Sequence, residues 1–345
     1  MVKHTAISYY GLNYVEHAEK DFLEMKEHGC DTVILAITEF DIDFWITNIG
    51  AIVDTAHKVG LRCIADPWGI GKYFGGENVS LFLQNNVHHR QVSALTGETL
   101  PAACMNSQAF RNYFKNCCLK LARNADFDGF FWDEPHYAKP THATSQVAGG
   151  NEDWTCRCPE CMKKFQDTYG YEMPRMMNDD VKEFRRQEAL VVLAETSKAL
   201  KEYNPKLEIT CCVLATMDSY YNRENRGYDD WDMVASCPYF DVFSTTIIDW
   251  KHDDKIFQNI TERTVKVAKK YGKESERWVM CYSNRPDDMK KVGEVIEAYA
   301  KYGADRLAAW TYRGGYGTVV AAPDALELWD ALGEGYKKVL NKEIK

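Results

Sequence analysis

The chain holds 345 residues, with 42 Lys and Arg against 51 Asp and Glu and a net charge of −9. Apolar residues at 45% and charged residues at 27% exclude wholesale disorder and match a globular chain able to bury one large core. An acidic balance without a basic run excludes nucleic acid and an anionic membrane as the main partner.

The N-terminal Met1-Val2-Lys3-His4-Thr5 runs straight into a strand-like segment, so neither a signal peptide nor a membrane span is expected. The expected compartment is the cytoplasm, where the 12 cysteines read as metal ligands or core filler rather than disulfides. In chain order, strand-like runs start near Ala6, Thr32, Arg62, Phe127, Leu207, Phe240, Arg277 and Arg306. Helix-period segments lie between them. Residues 15–28 put Val15, Ala18, Phe22 and Met25 on one face, and residues 287–302 do the same with Val292, Val295, Ile296 and Tyr299. Strand–helix alternation predicts a parallel sheet, and eight units predict closure into a (β/α)8 TIM barrel of α/β class. A doubly wound sheet is the alternative, but no Gly-rich fingerprint follows the first strand.

Most intervals between strand starts run 26–37 residues, but the third and fourth are 65 and 80. One barrel domain over residues 1–345, with insertions at about 70–107 and 135–180, accounts for the surplus. Loops after strands build the catalytic face of such barrels, so these insertions are expected to frame the site.

The fourth strand, Phe127-Asp128-Gly129-Phe130-Phe131-Trp132-Asp133-Glu134-Pro135, ends in two adjacent acids. A carboxyl among Trp and Phe is partly desolvated, which raises its pKa and suits it to proton donation. Glycosidic cleavage needs such an acid, here Glu134, plus a second carboxylate as nucleophile or base. Asp249, at the end of the sixth strand, is the first choice for that partner; Asp133, Asp66 and Asp41 follow. Helix capping or pairing with Arg is the competing role for each of these acids. Tyr9, Tyr10, Trp68, Trp250, Tyr282, Trp310, Tyr312 and Arg313 collect at the same level, and with Asp66 they suit a sugar's apolar faces and hydroxyls. Trp310 and Tyr312 share one parity directly before Gly314-Gly315.

Cys156-Arg157-Cys158-Pro159-Glu160-Cys161 offers three thiolates within six residues, enough to wrap one tetrahedral ion. Cys104, in the loop after the third strand, is the expected fourth ligand, with His142 and His136 as substitutes. Four thiolates leave no open position, so a zinc here is structural and staples the two insertions together.

These motifs resemble the barrel of glycoside hydrolase family 42 β-galactosidases and their relatives, over residues 100–170 above all. The resemblance implies structural zinc at Cys104, Cys156, Cys158 and Cys161, and acid/base duty for Glu134. That family carries Asn where this chain has Asp133, and a strand-seven glutamate where this chain has Tyr282, Ser283 and Asn284. It also carries trimerisation and β domains, for which 345 residues are expected to leave no room. The chain is therefore read as a divergent barrel glycosidase that cleaves a small glycoside or oligosaccharide. Two mechanisms fit the departures. Adjacent Asp133 and Glu134 are similar to hexosaminidases that use the substrate's own acetamido group as nucleophile; Asp133 with Asp249 resembles α-galactosidase-type barrels. A barrel that binds carbohydrate without turnover is the rival, and a homo-oligomer is compatible with the sequence.

Overall fold

A computed structural model of the chain describes residues 2–10, 14–74, 78–138, 140, 153–215, 226–247, 254–283, 289 and 291–341. Eight parallel strands close into a barrel: β1 (His4–Tyr9), β2 (Thr32–Ala36), β3 (Arg62–Asp66), β6 (Gly129–Asp133), β7 (Glu208–Val213), β8 (Val242–Thr245), β9 (Glu274–Met280) and β10 (Arg306–Trp310). The expected (β/α)8 barrel is therefore the observed fold. A short antiparallel hairpin, β4 (Arg90–Val92) and β5 (Thr99–Ala103), sits in the connection between β3 and β6.

A repeated side-chain clamp sets where several strands begin. Asp31, Asp128, Asp241 and Asp305 each stand just ahead of a strand and accept the backbone N–H of Thr5, Cys63, Ile209 and Ser275 on the strand before, at 3.2, 2.7, 2.8 and 3.0 Å. The regular strands consequently start after Asp128 and Asp241, and not at Phe127 and Phe240, where apolar content alone puts them.

Alternation then sorts the side chains. Ala6, Ile34, Ile64, Phe131, Cys212, Trp278 and Ala308 form a small cluster of their own inside the barrel. The opposite faces of the strands pack under the surrounding helices, among them α1 (Val15–Glu27), α2 (Glu39–Phe44), α3 (Ile46–Val59), α4 (Leu81–Asn85) and α5 (Gln108–Asn124). Further along the chain come α6 (Pro159–Tyr169), which packs on α7 (Asp179–Tyr203), then α8 (Trp231–Ala235), α9 (Asp254–Lys270), α10 (Lys291–Lys301) and α11 (Ala325–Leu340). Val292, Val295, Ile296 and Tyr299 are all buried on α10, as their spacing predicts. Among the described residues no helix is long and apolar enough to cross a membrane.

Two polar clusters, one a partly buried ion-pair network and one a buried hydrogen-bonded carboxyl, tie segments together at either end of the barrel. At the N-terminal end, Arg306 bridges Glu208 and Glu274 at 2.5 Å each, and Arg62 reaches Glu208 at 3.1 Å. On the other side, the Glu39 carboxylate at the start of α2 accepts from Gly71 N, Ser80 Oγ, Phe82 N and Tyr113 OH at 2.7–3.1 Å. It holds the loop after β3 in place. The segments that follow β3 and β6 meet each other: Ala94 N donates to Trp154 O and Arg157 N to Val92 O, both at 2.9 Å, so residues 154–157 run beside β4.

Candidate active site

Asp133 is the last residue of β6, two positions beyond the inward Phe131, so it shares that strand's inward parity. Asp66 ends the neighbouring β3 with the same parity as Ile64. Only 3% of Asp66 is exposed, and among the described residues its buried Oδ1 has no hydrogen-bond partner. Burial first, and then the charge of Asp133, push its pKa well above the usual carboxylate range. Burial thus disfavours the ionised form of Asp66, which stands beside an acid partly open to solvent.

Glu134 follows at φ 45°, a left-handed backbone conformation that costs a non-glycine residue about 1–2 kcal/mol. The turn takes Glu134 out of strand alternation. His136 fixes it: its Nδ1 lies 2.6 Å from the Glu134 carbonyl, so the ring donates there and carries its proton on Nδ1. Burial, with help from the Arg226 and Lys72 charges, drives the His136 pKa down to about 3, leaving a neutral imidazole. Sequence reasoning set His136 aside as a substitute zinc ligand; the structure ties it to the backbone of Glu134 instead. The thiol of Cys212, on the adjoining β7, is pushed up by burial and by the charges of Asp133 and Glu134, which brings both acids to one place.

Aromatic rings wall the same space. Tyr10 continues the inward series Ala6, Ser8 and meets Trp68 edge-on at 5.0 Å and Trp310 at 6.3 Å. Trp310 donates from Nε1 to the Tyr10 hydroxyl and packs on Tyr282 at 4.4 Å. Burial first, and then the charge of Asp133, push the Tyr10 phenol well above its ordinary value. Tyr10, Trp68, Tyr282 and Trp310 thus stand together beside the acids.

Three other expected binding residues stand elsewhere. Tyr9 faces outward from β1, 6% exposed, with its hydroxyl on Asp21 of α1 and its ring edge-on to Tyr312 at 5.3 Å. Regular strand geometry ends at Trp310, so Tyr312 falls in a tight turn that brings its hydroxyl within 3.0 Å of Asp21 and of Glu24. Arg313 at φ 50° pairs with Glu24, which also accepts from Trp329. These residues pin the last loop to α1. Asp41 forms a capping box with Thr38 at the start of α2. Asp249 and Trp250 lie outside the described residues. Glu276, 5% exposed and hydrogen-bonded by Ser244 and Trp278, is an interior acid that sequence reasoning missed; its parity with Trp278 was the available signal.

The four expected cysteine ligands converge. Cys104, Cys156, Cys158 and Cys161 are all buried, with sulfurs within 4.8 Å of one another. Cys104 Sγ lies 3.5 Å from both Cys158 and Cys161, too far for a disulfide. Four sulfurs at ~2.3 Å from one zinc sit about 3.8 Å apart, so the observed spacing fits such an ion. Donors already surround the sulfurs: Val92 N reaches Cys156, Asn106 Nδ2 reaches Cys161, both at 3.3 Å, and Cys161 N reaches Cys158 at 3.4 Å.

No family model and no curated protein sequence matches the chain. Its likeness to known proteins lies in three dimensions. The β-galactosidase of Rahnella sp. R3 superposes with a TM-score of 0.72 at 15% identity, over 98% of this chain and 56% of that one. The glycoside hydrolase domain of PgaB from Bordetella bronchiseptica gives 0.64 at 11% identity, covering 95% and 98%. An endo-1,4-β-mannanase from Rhizomucor miehei gives 0.65 at 11%, covering 99% and 96%. What these proteins share with the chain is the fold. The chain spans just over half the length of the β-galactosidases it matches. In barrels of this kind the C-terminal ends of the strands carry the chemistry, and Asp66, Asp133 and Glu134 all stand there.

Proposed function

We propose that the chain is a glycoside hydrolase acting on a small glycoside or oligosaccharide, with Glu134 as its general acid. The observation that carries this reading is the meeting of three carboxyls, Asp66, Asp133 and Glu134, with four aromatic rings at one end of the barrel. A sugar presents apolar C–H faces to the rings and hydroxyls to the acids. Glu134, aimed by its turn and by His136, donates a proton to the departing glycosidic oxygen. Asp133 or Asp249 supplies the second carboxylate, and its separation from Glu134 sets the outcome: ~5–5.5 Å for retention, ~6.5–9.5 Å for inversion. Glu134→Gln is expected to cut turnover of glycosides with poor leaving groups, such as methyl and phenyl glycosides, by about 10²-fold or more without moving the thermal midpoint. Unchanged turnover would overturn the assignment.

A second reading has a specific support: the positions directly after β9 are Cys281, Tyr282 and Ser283, none of them acidic. In that reading the substrate is an N-acetylhexosaminide whose acetamido group attacks, Asp133 orients the amide and Glu134 donates the proton. Turnover confined to N-acetylated glycosides within a broad panel would select it. Binding of a sugar with no turnover across that panel would favour a carbohydrate-binding barrel.

The same proposal includes a structural zinc at Cys104, Cys156, Cys158 and Cys161, within one barrel domain whose insertions span about 70–107 and 135–180. The ion would join the loop after β5 to the start of α6 and contribute no step to hydrolysis. Twelve buried, unpaired cysteines suit the reducing cytoplasm.

A further inference from the structure

Between β5 and α5 the chain reads Cys104-Met105-Asn106-Ser107. Ser107 caps α5 by accepting from Phe110 N, and Cys104 belongs to the cysteine cluster. Asn106 lies between them and touches both the cluster and a buried ionic network. Its Nδ2 stands 3.3 Å from Cys161 Sγ. Its Oδ1 stands 3.1 Å from Arg111 Nη2, on α5, and 3.3 Å from Lys164 Nζ, on α6. Arg111 and Lys164 can only donate, so the amide oxygen faces them and the N–H faces the sulfur.

The two cations are themselves held. Arg111, 8% exposed, donates from Nε to the Met105 carbonyl at 2.6 Å and from Nη2 to Glu188 Oε2 at 2.9 Å. Lys164 reaches the same oxygen of Glu188, on α7, which is 7% exposed. One carboxylate thus joins a cation from α5 to a cation from α6, and the Asn106 amide is locked between them. Cys156 and Cys158 accept from the backbone N–H groups of Val92 and Cys161. Cys161 accepts from a side chain whose direction the ionic network fixes. Four thiolates on one divalent ion leave an excess of negative charge in a buried place, and N–H donors aimed at sulfur disperse it.

We propose that Asn106 is a positioning residue of the cysteine site: oriented by Arg111, Lys164 and Glu188, it donates to Cys161, favours that sulfur as a thiolate and sets how tightly the site holds its metal. The proposal rests on the structural-zinc reading. A plain tie between α5 and α6 needs only the amide oxygen, whereas this role needs the N–H. Asn106→Asp separates the two. It keeps an oxygen for Arg111 and Lys164 but turns the donor facing the sulfur into an acceptor; Asn106→Leu loses both.

The test uses the full chain. Zinc is withdrawn by a chelator of known affinity, and in parallel samples cobalt(II) takes its place. The wild type is expected to show sulfur-to-cobalt charge-transfer absorption. Asn106→Asp is expected to hold zinc about 10–100-fold more weakly, with its far-ultraviolet circular dichroism unchanged. Its charge-transfer band is expected at longer wavelength, because a sulfur without its N–H donor gives up electron density more readily. Asn106→Leu is expected to show the same loss and the same direction of shift, and it carries the test if the Asp variant does not fold. The proposal is overturned if Asn106→Asp holds zinc as tightly as the wild type, if the band stays in place, or if only Asn106→Leu weakens binding, which would make Asn106 a tie alone. A wild type that takes up neither zinc nor cobalt would overturn the structural-zinc reading itself, and this proposal with it.

Discussion

At Glu134 a strained backbone does what a longer strand would not: it turns a side chain out of alternation just where β6 stops. The adjacency of Asp133 and Glu134 is plain in the sequence, but the positive φ and the His136 bond that holds it are not, because both arise from a turn that is already folded. Parity explains the aromatic residues. Tyr10 and Trp310 follow the two-residue rhythm of their strands and face inward, whereas Tyr312 lies past the end of regular pairing, where that rhythm no longer applies. Glu39 gives a sharper residue-scale expectation. It is 2% exposed and accepts four hydrogen bonds, two of them from backbone N–H groups of the loop after β3. Glu39→Ala strands those donors, and a loss of about 3 kcal/mol is expected in urea titration. A change under about 0.5 kcal/mol, the usual size for a surface substitution, would contradict that role.

Among the elements, the barrel strands and their helices were legible because long apolar runs and a 3.6-residue period persist through them. The β4–β5 hairpin was not. Its strands have three and five residues, and Thr99-Leu100-Pro101 interrupts any alternation with a proline. The hairpin is held by what surrounds it: residues 154–157 on one side and the cysteine cluster at its end. The cluster itself was legible, since C-x-C-x-x-C at the start of a helix leaves little other use for three thiols. Elemental analysis of the purified chain is expected to give one zinc per molecule. Cys158→Ala is expected to lose that zinc and to lower the thermal midpoint. A variant that unfolds at the wild-type temperature while lacking metal would remove the staple from the account.

Over the whole molecule, the two ends of the barrel have different electrostatics. Asp66, at one end, is pushed above the usual carboxylate range, whereas Glu208, at the other, is held below it. Burial works to raise the Glu208 pKa, but the Arg306 and Arg62 guanidiniums outweigh it and hold the group at about 2. A folded pKa below the unfolded value contributes stability that is present above the unfolded pKa, near 4.3, and is lost as pH falls toward 2. The difference corresponds to roughly 3 kcal/mol for a group this buried. Wild-type stability is therefore expected to fall more steeply between about pH 5 and pH 2 than that of Glu208→Gln, in denaturant titrations at each pH. Parallel slopes would show that the Arg306 pairing carries no net stabilisation. The claim on which the functional reading depends is that Glu134 protonates a leaving group. The most direct measurement is kcat/KM for a series of aryl glycosides of graded leaving-group acidity, in the wild type and in Glu134→Gln. The account predicts a shallow dependence in the wild type and a steep one in the variant, with poor leaving groups losing most. An equal loss across the series, or no loss, would contradict it.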